Sequence, residues 1–484
     1  MSERKMIIGP IIGMVDDKKA KIGFFGNFGT EGDDKPRVYV FKKTNTSGTA
    51  DAQFDFFPVS TIDQNVNGLP CNSYLAEIQF PPGDDDFYFR INTQFHSERM
   101  YPLKRVPNDA DLDFSFGLSS CHKALMVFPK DEPVTTRMWT QLYDQLTAHG
   151  SRFHLQVGDQ TYCDYLGYSA WDKCQSVSNF DERLAIYRDV YVQSWGFPAV
   201  QKVLQTFPQY MIWDDHDITD GWGSLPIHRQ KFEDIFEVAR QAYIEFQHCH
   251  NPNALVGGEL FYSFFYGHAA FLVMDLRGHR DIDRRVSHFP LAGKMQWEAI
   301  DAWFQQDRVK NSKILFVITS VPPCHLSRSF GSLGFLKMDI ADQWSVGKNK
   351  AERRMLFNRL FQWQGEENKP AFILAGDAHV GTEATINLTR NGQTRTIYQI
   401  TSSPITNKPE VFLDFFTALI SSRFSFHLDE AKTQRAHVTF TRRHRKRNFA
   451  IIEVRYTDGK PRVKLSMYRD KEKLPREHDY PIPS

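Results

Sequence analysis

Apolar and polar positions alternate in short pieces along the first hundred residues, with turn residues between them. Such pieces lie at 21–25, 37–41, 51–57, 74–80 and 87–91. Gly-Thr-Glu-Gly-Asp-Asp, Asn-Thr-Ser-Gly and Pro-Pro-Gly-Asp-Asp-Asp separate them. A period of two puts successive side chains on opposite faces, so the pattern predicts an antiparallel β-sandwich. The apolar segment 6–15 is interrupted by Gly9, Pro10 and Gly13 and followed by Asp16-Asp17-Lys18-Lys19. It therefore reads as the first strand or two of this domain and not as a secretion signal. Pro102, Pro107 and a cluster of Asn and Asp over 100–112 predict a linker. The expected division is a sandwich domain over 1–108 and a second domain over 109–484.

From about residue 113 the texture changes. Phe114, Phe116 and Leu118 alternate as a strand, and Met138, Trp139, Leu142 and Leu146 share one helical face. Further strands are expected at 153–157, 210–213, 270–276, 313–319, 371–375 and 396–401. Helices are expected over 181–205, 229–248, 294–308 and 350–363. This alternation predicts an α/β domain with helices packed outside its sheets.

Unusual polar chemistry follows most of these strands. The ends read Ser119-Ser120-Cys121-His122, Gly158-Asp159-Gln160-Thr161-Tyr162-Cys163-Asp164, Asp214-Asp215-His216-Asp217, Asp275-Leu276-Arg277 and Gly376-Asp377-Ala378-His379. Only the strand at 313–319, which ends in Ser-Val-Pro-Pro, offers little there. In α/β folds loops at the carboxyl ends of strands converge on one edge, so five such ends imply one shared site. Taken singly, an Asp after a strand more often caps a helix, Cys121 more often fills a core, and Arg277 or Arg280 more often joins an ion pair. Four carboxylates and an imidazole within 214–220 repel one another unless a cation sits among them. The spacing Asp377-x-His379 points both side chains to one face of an extended segment. There is no P-loop, dinucleotide fingerprint, H-E-x-x-H helix or G-x-S-x-G elbow. Oxygen and imidazole donors spread over several loops suit a two-metal hydrolase instead.

Composition narrows the partners. Among 484 residues, 59 Lys and Arg balance 58 Asp and Glu, so no global field favours nucleic acid or an acidic membrane. No apolar run is long enough to span a bilayer. The 6 cysteines are dispersed without a C-x-x-C pair, which fits free thiols and a cytoplasmic location. The exception to the neutral balance is the run Thr441-Arg-Arg-His-Arg-Lys-Arg-Asn448. It makes a nucleic-acid phosphodiesterase the alternative function, although a solvated strand or turn is the plainer reading. A non-catalytic interaction protein with a vestigial site is a third reading. The aromatic-rich segment 165–198, lying between two ligand-bearing loops, is a candidate substrate-shaping insertion.

The blocks Gly158-Asp-Gln-Thr-Tyr162, Trp213-Asp-Asp-His-Asp-Ile-Thr-Asp-Gly-Trp222, Met274-Asp-Leu-Arg277 and Gly376-Asp-Ala-His379 resemble the alkaline phosphatase D (PhoD-like) branch of the calcineurin-like metallophosphoesterases. Ser120-Cys121 and the segment Gly9-Pro-Ile-Ile-Gly-Met-Val fit that branch too. The resemblance implies a double β-sheet flanked by helices, preceded by a β-sandwich, with metals at the strand ends. It implies a phosphoester hydrolase that uses a hydroxide bridging the metals near Asp159 for in-line attack on a monoester or diester. It makes Cys121 and Tyr162 ligands of iron, with calcium as the companion metal. By the same resemblance Asp159 is the aspartate that bridges the two metals, Asp215, Asp377 and His379 are further ligands, Asp214 is a ligand or orients one, and Asp220 is an additional candidate. His216 contacts the scissile phosphate and assists the leaving group by the same resemblance; Arg277 or Arg280 is the candidate phosphate clamp on its chemistry alone, with a structural ion pair as the alternative. Secreted members of the branch carry a twin-arginine signal, which this sequence does not show.

Overall fold

Every residue of strand Phe114–Ser119 is buried, so both of its faces need partners. The computed structural model describes residues 5–28, 35–45, 48–66, 69–83, 86–92, 99–107, 111–281, 289–325, 343–365, 367–409 and 422–481. The expected domain boundary at 108 lies outside the described residues. Phe114–Ser119 runs parallel to Phe153–Val157, which runs parallel to Gln209–Ile212. On its other side it pairs antiparallel with Asn448–Thr457, and Lys460–Arg469 and Arg476–Tyr480 complete a 6-stranded sheet. An 8-stranded sheet faces it, with Ala269–Val273, Ile314–Thr319, Ala371–Ala375 and Gln393–Thr401 parallel at its centre.

Aromatic rings join the two sheets. Phe116 stacks on Phe153 at 4.9 Å and meets the Phe316 ring edge-on at 5.5 Å, and Phe316 stacks on Phe271 at 4.8 Å. The alternate residues Leu272, Leu315, Val317 and Ile373 point the other way. They pack in a second core with Trp297 and Ile300 of helix Gly293–Gln305 and Leu356 and Leu360 of helix Asn349–Gln364. Mixed sheets with helices outside them therefore agree with the expected fold class. Two helix expectations need correction. The helix expected over 181–205 is two, Phe180–Trp195 and Pro198–Leu204, because a proline opens a helix readily but cannot sit inside one. The helix expected from 229 starts at Glu233, after the short Pro226–Lys231. Strands over 423–480 add to the expectation and finish both sheets.

The N-terminal region is all-β and antiparallel, in a 5-stranded and a 4-stranded sheet. It docks behind strand Gln209–Ile212. Gly9 donates to Gln201 Oε1 at 3.0 Å and accepts from Gln205 Nε2 at 2.7 Å, and Tyr210 donates its hydroxyl to Val15 O at 3.2 Å. A Cβ at Gly23 would meet His250 Nε2 at 2.2 Å, so glycine permits that approach. One buried hydrophobic cluster runs from Ile8 and Ile22 through Phe116 to Phe316. Among the described residues no helix is long and apolar enough to cross a membrane, and all six cysteines are free thiols.

One buried carboxylate ties the last strand to the opposite sheet. Glu383, on strand Gly381–Arg390, accepts from His444 Nε2 at 3.1 Å, His478 Nδ1 at 2.5 Å and Tyr480 OH at 3.3 Å. Burial would raise its pKa, but the hydrogen bonds and charges of His444 and His478 outweigh that and bring it to about 2. A carboxyl depressed from its usual value stabilises the fold above that usual value and loses the contribution as pH falls toward the folded one. Glu383→Gln should therefore cost on the order of 3 kcal/mol near pH 6, with the gap narrowing toward about pH 3. Urea unfolding midpoints across that range measure it.

Candidate metal centre

Adjacent parallel strands deliver their carboxyl ends to one edge of each sheet, and the two edges meet. Phe114–Ser119 leads into Cys121, Phe153–Val157 into Asp159, Gln209–Ile212 into Asp214–Asp217, and Ala371–Ala375 into Asp377 and His379. Backbone bonds lock the first two loops together, Cys121 N to Gly158 O at 3.2 Å and His122 N to Asp159 O at 2.8 Å. A Cβ at Gly376 would lie 2.1 Å from Val157 O, so glycine lets the fourth loop close on the second. Cys121, Asp159, Asp377 and His379 all hold left-handed backbone, with φ of 57°, 56°, 55° and 47°. Each such non-glycine residue costs about 1–3 kcal/mol and persists where its surroundings over-determine it.

Three overlapping groups of donor atoms result, each with its atoms within 4.8 Å of one another: Cys121, Asp159 and His379; Asp159, Asp215 and His216; and Asp214, Asp215 and Asp377. The sequence spacing aimed Asp377 and His379 at one face. The left-handed turn instead sends them to different groups. Tyr162 joins the first group, its hydroxyl donating to Asp159 Oδ2 at 3.1 Å and lying 3.2 Å from His379 Nε2. Asp159 Oδ1 and Asp214 Oδ2 are buried without a hydrogen-bond partner among the described residues.

The electrostatics point the same way. Burial first, then the carboxylates of Asp214, Asp215 and Asp159, push the Asp377 carboxyl well above the usual range. Burial first, and then neighbouring Asp159, raise the Cys121 thiol and the Tyr162 phenol. Asp159 is raised by burial and by Asp215 and Asp214, against the pull of His216. Burial would raise Asp215 too, but Arg277 and His216 bring it to about 2. A cation among these groups reverses the logic and favours their deprotonated forms. The orphaned oxygens and the donor chemistry therefore fit metal ions.

Several sequence expectations change here. Arg277 is fully buried, its Nε donating to Asp214 Oδ1 and its Nη1 to Trp222 O at 3.3 Å, with Nη2 3.4 Å from Asp215 Oδ1. That geometry makes it a counter-charge behind the carboxylates rather than a clamp on substrate. Asp220 is exposed and belongs to none of the three groups; its amide donates to Asp164 Oδ2 at 2.6 Å. Asp217 accepts from the amides of Asp214, Gln160 and Thr161, the Thr161 hydroxyl and Gln247 Nε2, so it pins two ligand loops together. Strand Ile314–Thr319 contributes after all, because Ser320 Oγ donates to Asp214 Oδ1 at 2.8 Å.

Four residues were missed. Asp164 holds His216 Nδ1 at 2.8 Å. Asn407 Nδ2 lies 3.0 Å from both Tyr162 OH and His379 Nε2, and Ser403 Oγ donates to Cys121 Sγ at 3.1 Å. Lys123 holds its ammonium 5.1 Å from the Tyr162 ring centre and 4.7 Å from that of Tyr165. The polar run Thr401-Ser-Ser after strand Gln393–Thr401 was the available signal for Ser403 and Asn407. The basic run is largely partnered: Arg442 donates to Glu477 O at 2.6 Å, Lys446 pairs with Glu472 at 2.9 Å, and Arg447 lies 3.8 Å from Asp470.

A family model described as PhoD-like phosphatase matches residues 116–465. The chain belongs to the PhoD-like phosphatase family. A solved structure titled "Structure of PhoD" superposes with a TM-score of 0.65 at 15% identity, covering 99% of this chain and 90% of that one. An uncharacterised protein of Saccharomyces cerevisiae, YGR266W, is 21% identical over 202 residues, 42% of this chain. The chain matches 26% of that yeast protein's length. All four strand ends that carry candidate donors lie within the PhoD-like match, and so does the C-terminal strand Asn448–Thr457 that borders Phe114–Ser119. Chelating the metals from this PhoD-like centre should lower the melting temperature by about 5 °C or more, because bound ions stabilise only the folded state. Differential scanning fluorimetry with and without chelator measures it, and re-addition of metal should restore the loss.

Proposed function

We propose that this protein is a metal-dependent phosphoester hydrolase whose centre lies between the carboxyl ends of its two sheets, in a metallophosphoesterase core. The carrying observation is the chain of donor groups, in which Asp159 joins the first to the second and Asp215 joins the second to the third. Shared carboxylates of this kind are what neighbouring cations need. The first group, with thiolate, phenolate and imidazole, suits a transition metal such as iron; the third is all oxygen and suits calcium or another hard cation. Bound there, the ions would activate a water and neutralise phosphoryl oxygens.

The protein's own residues supply the rest. His216 is drawn well above its ordinary pKa: burial opposes this, but Asp164 foremost and Asp159 and Asp215 behind it prevail. Asp164 holds Nδ1 and so leaves Nε2 as the nitrogen available to the phosphoryl or leaving oxygen. Asp164 fixes the ring, and the Tyr162 ring stacked on it at 4.3 Å holds its plane. Lys123, held over Tyr162 and Tyr165, adds a positive charge beside the centre where the phosphate dianion arrives. Arg277 and Ser320 keep Asp214 in place.

Asp159→Ala should lose metal and activity together, read by elemental analysis and turnover of p-nitrophenyl phosphate and its bis ester. Full activity in that variant would sink the assignment. Asp164→Asn should keep its metals while kcat falls roughly 10–100-fold, since an orienting partner rather than a ligand is lost. A Tyr162→Phe variant should lose any visible charge-transfer band that iron gives the wild type.

A further inference from the structure

The aromatic-rich segment 165–198 is the motif that the metal centre leaves unused, yet it starts at that centre. Asp164, which holds His216 Nδ1, opens a hairpin of strands Asp164–Tyr165 and Tyr168–Ser169. Two anchors fix the hairpin. Tyr168 donates its hydroxyl to Asp189 and accepts from Gln193 Nε2 at 2.9 Å, both on helix Phe180–Trp195. Tyr165 stacks on Phe128 at 4.6 Å and donates its hydroxyl to Asp131 Oδ2 at 3.2 Å.

A row of rings and ammonium groups therefore leads outward from the centre. Tyr162 stacks on His216, Lys123 lies over both Tyr162 and Tyr165, and Lys130 lies 5.9 Å from the ring centre of Phe128. Exposure rises along the row, from 1% at Tyr162 through half-buried Tyr165 and Phe128 to 92% at Leu166. Val127, beside Phe128, is exposed as well. Gly167, with φ of 86°, supplies the left-handed residue of the two-residue turn, so the turn itself does not call for leucine at 166. Apolar side chains left in water on the rim of a polar centre mark a binding surface.

The reading of the centre puts a phosphoryl or leaving oxygen at His216, so the ester's alcohol is attached within reach of this row. The chemistry of the row decides the class of that alcohol. Rings alone would suit a quaternary ammonium group, but lysine ammoniums already lie over these rings and repel a second cation. A neutral aromatic group meets no such repulsion. Its face attracts an ammonium, and its edges pack on Leu166 and Val127.

We propose that Val127, Phe128, Tyr165 and Leu166 form a subsite for the alcohol part of the substrate, so that the preferred substrate is the phosphoester of a neutral aromatic alcohol. The proposal rests on the phosphoester reading of the metal centre.

The test compares 2-phenylethyl phosphate with ethyl phosphate on the metal-loaded full chain. Both are esters of primary alcohols, so the ratio of their kcat/KM values isolates the phenyl group from leaving-group chemistry. That ratio should be about tenfold in favour of the phenyl ester, fall to about threefold in Leu166→Asn and approach parity in Val127→Asn/Leu166→Asn. Both positions are exposed, so the variants should fold, and unchanged melting curves and metal contents check them. A wild-type ratio near parity, or a ratio unchanged in the double variant, overturns the subsite. Faster turnover of choline phosphate than of ethyl phosphate overturns the neutral aromatic class. Leu166-dependent binding to phosphatidylcholine vesicles without a phenyl preference assigns the rim to a lipid surface and overturns the subsite. Leu166-dependent binding of 2-phenylethyl phosphate by calorimetry, without turnover of any phosphoester, keeps the subsite and overturns the reading of the centre. Neither binding nor turnover overturns both.

Discussion

Repulsion among buried carboxylates is the constraint on which the rest of this structure depends. Two unit charges 4.8 Å apart repel by about 3–4 kcal/mol at an effective dielectric near 20. Asp214, Asp215 and Asp377 make three such pairs, and Asp159 stands in the neighbouring group. Arg277 is one guanidinium against them, and its bonds go to Asp214 and Asp215. Burial first, and then neighbouring carboxylates that His216 and Arg277 only partly offset, drive Asp159 and Asp377 upward, while Arg277 and His216 bring Asp215 down. A fold that pays this penalty is organised to receive cations.

The fold holds that arrangement by leaving its loops few alternatives. The four left-handed residues sit at the turns that redirect chain from strand to site. Extended continuation would carry Cys121 and Asp159 past one another instead of bringing Sγ to 3.3 Å from Oδ2. Asp217 takes no place in the donor groups, but its five hydrogen bonds fix the loop after Val157 against the loop after Ile212. The aromatic contacts between the sheets fix the distance between the edges that carry these loops. Core packing and site geometry are in this sense one problem, because a shift between the sheets would separate Asp377 from Asp214.

The layered α/β class was legible because burial on both faces leaves short, continuous apolar runs such as 314–319 and 371–375, each ending in a turn. The convergence of strand ends was legible for the same reason. Two things were not. The partners that orient the donors come from distant positions, Asp164 for His216 and Asn407 for Tyr162, and hydrogen bonds across 52 and 245 residues leave no local spacing to read. The roles within the acidic loop were also hidden. Asp214, Asp215, Asp217 and Asp220 look alike in sequence, and only their partners separate a carboxylate held by Arg277 from one that accepts amides and one that faces water.

That separation explains why the acidic loop needs so many carboxylates when so few can meet metal. Asp215 accepts from Gly221 N at 2.7 Å and stays ionised near Arg277 and His216, so it is ready to bridge two donor groups. Asp214 is drawn back by Arg277 and Ser320, leaving one oxygen, Oδ2, unsatisfied. Asp217 is spent wholly on hydrogen bonds that hold the scaffold, three from backbone amides and two from the side chains of Thr161 and Gln247. A loop with one carboxylate could ligate but would not hold its shape, and a loop shaped by neutral residues would not balance Arg277. The local charge density is therefore a consequence of building the ligand and its scaffold from the same short segment.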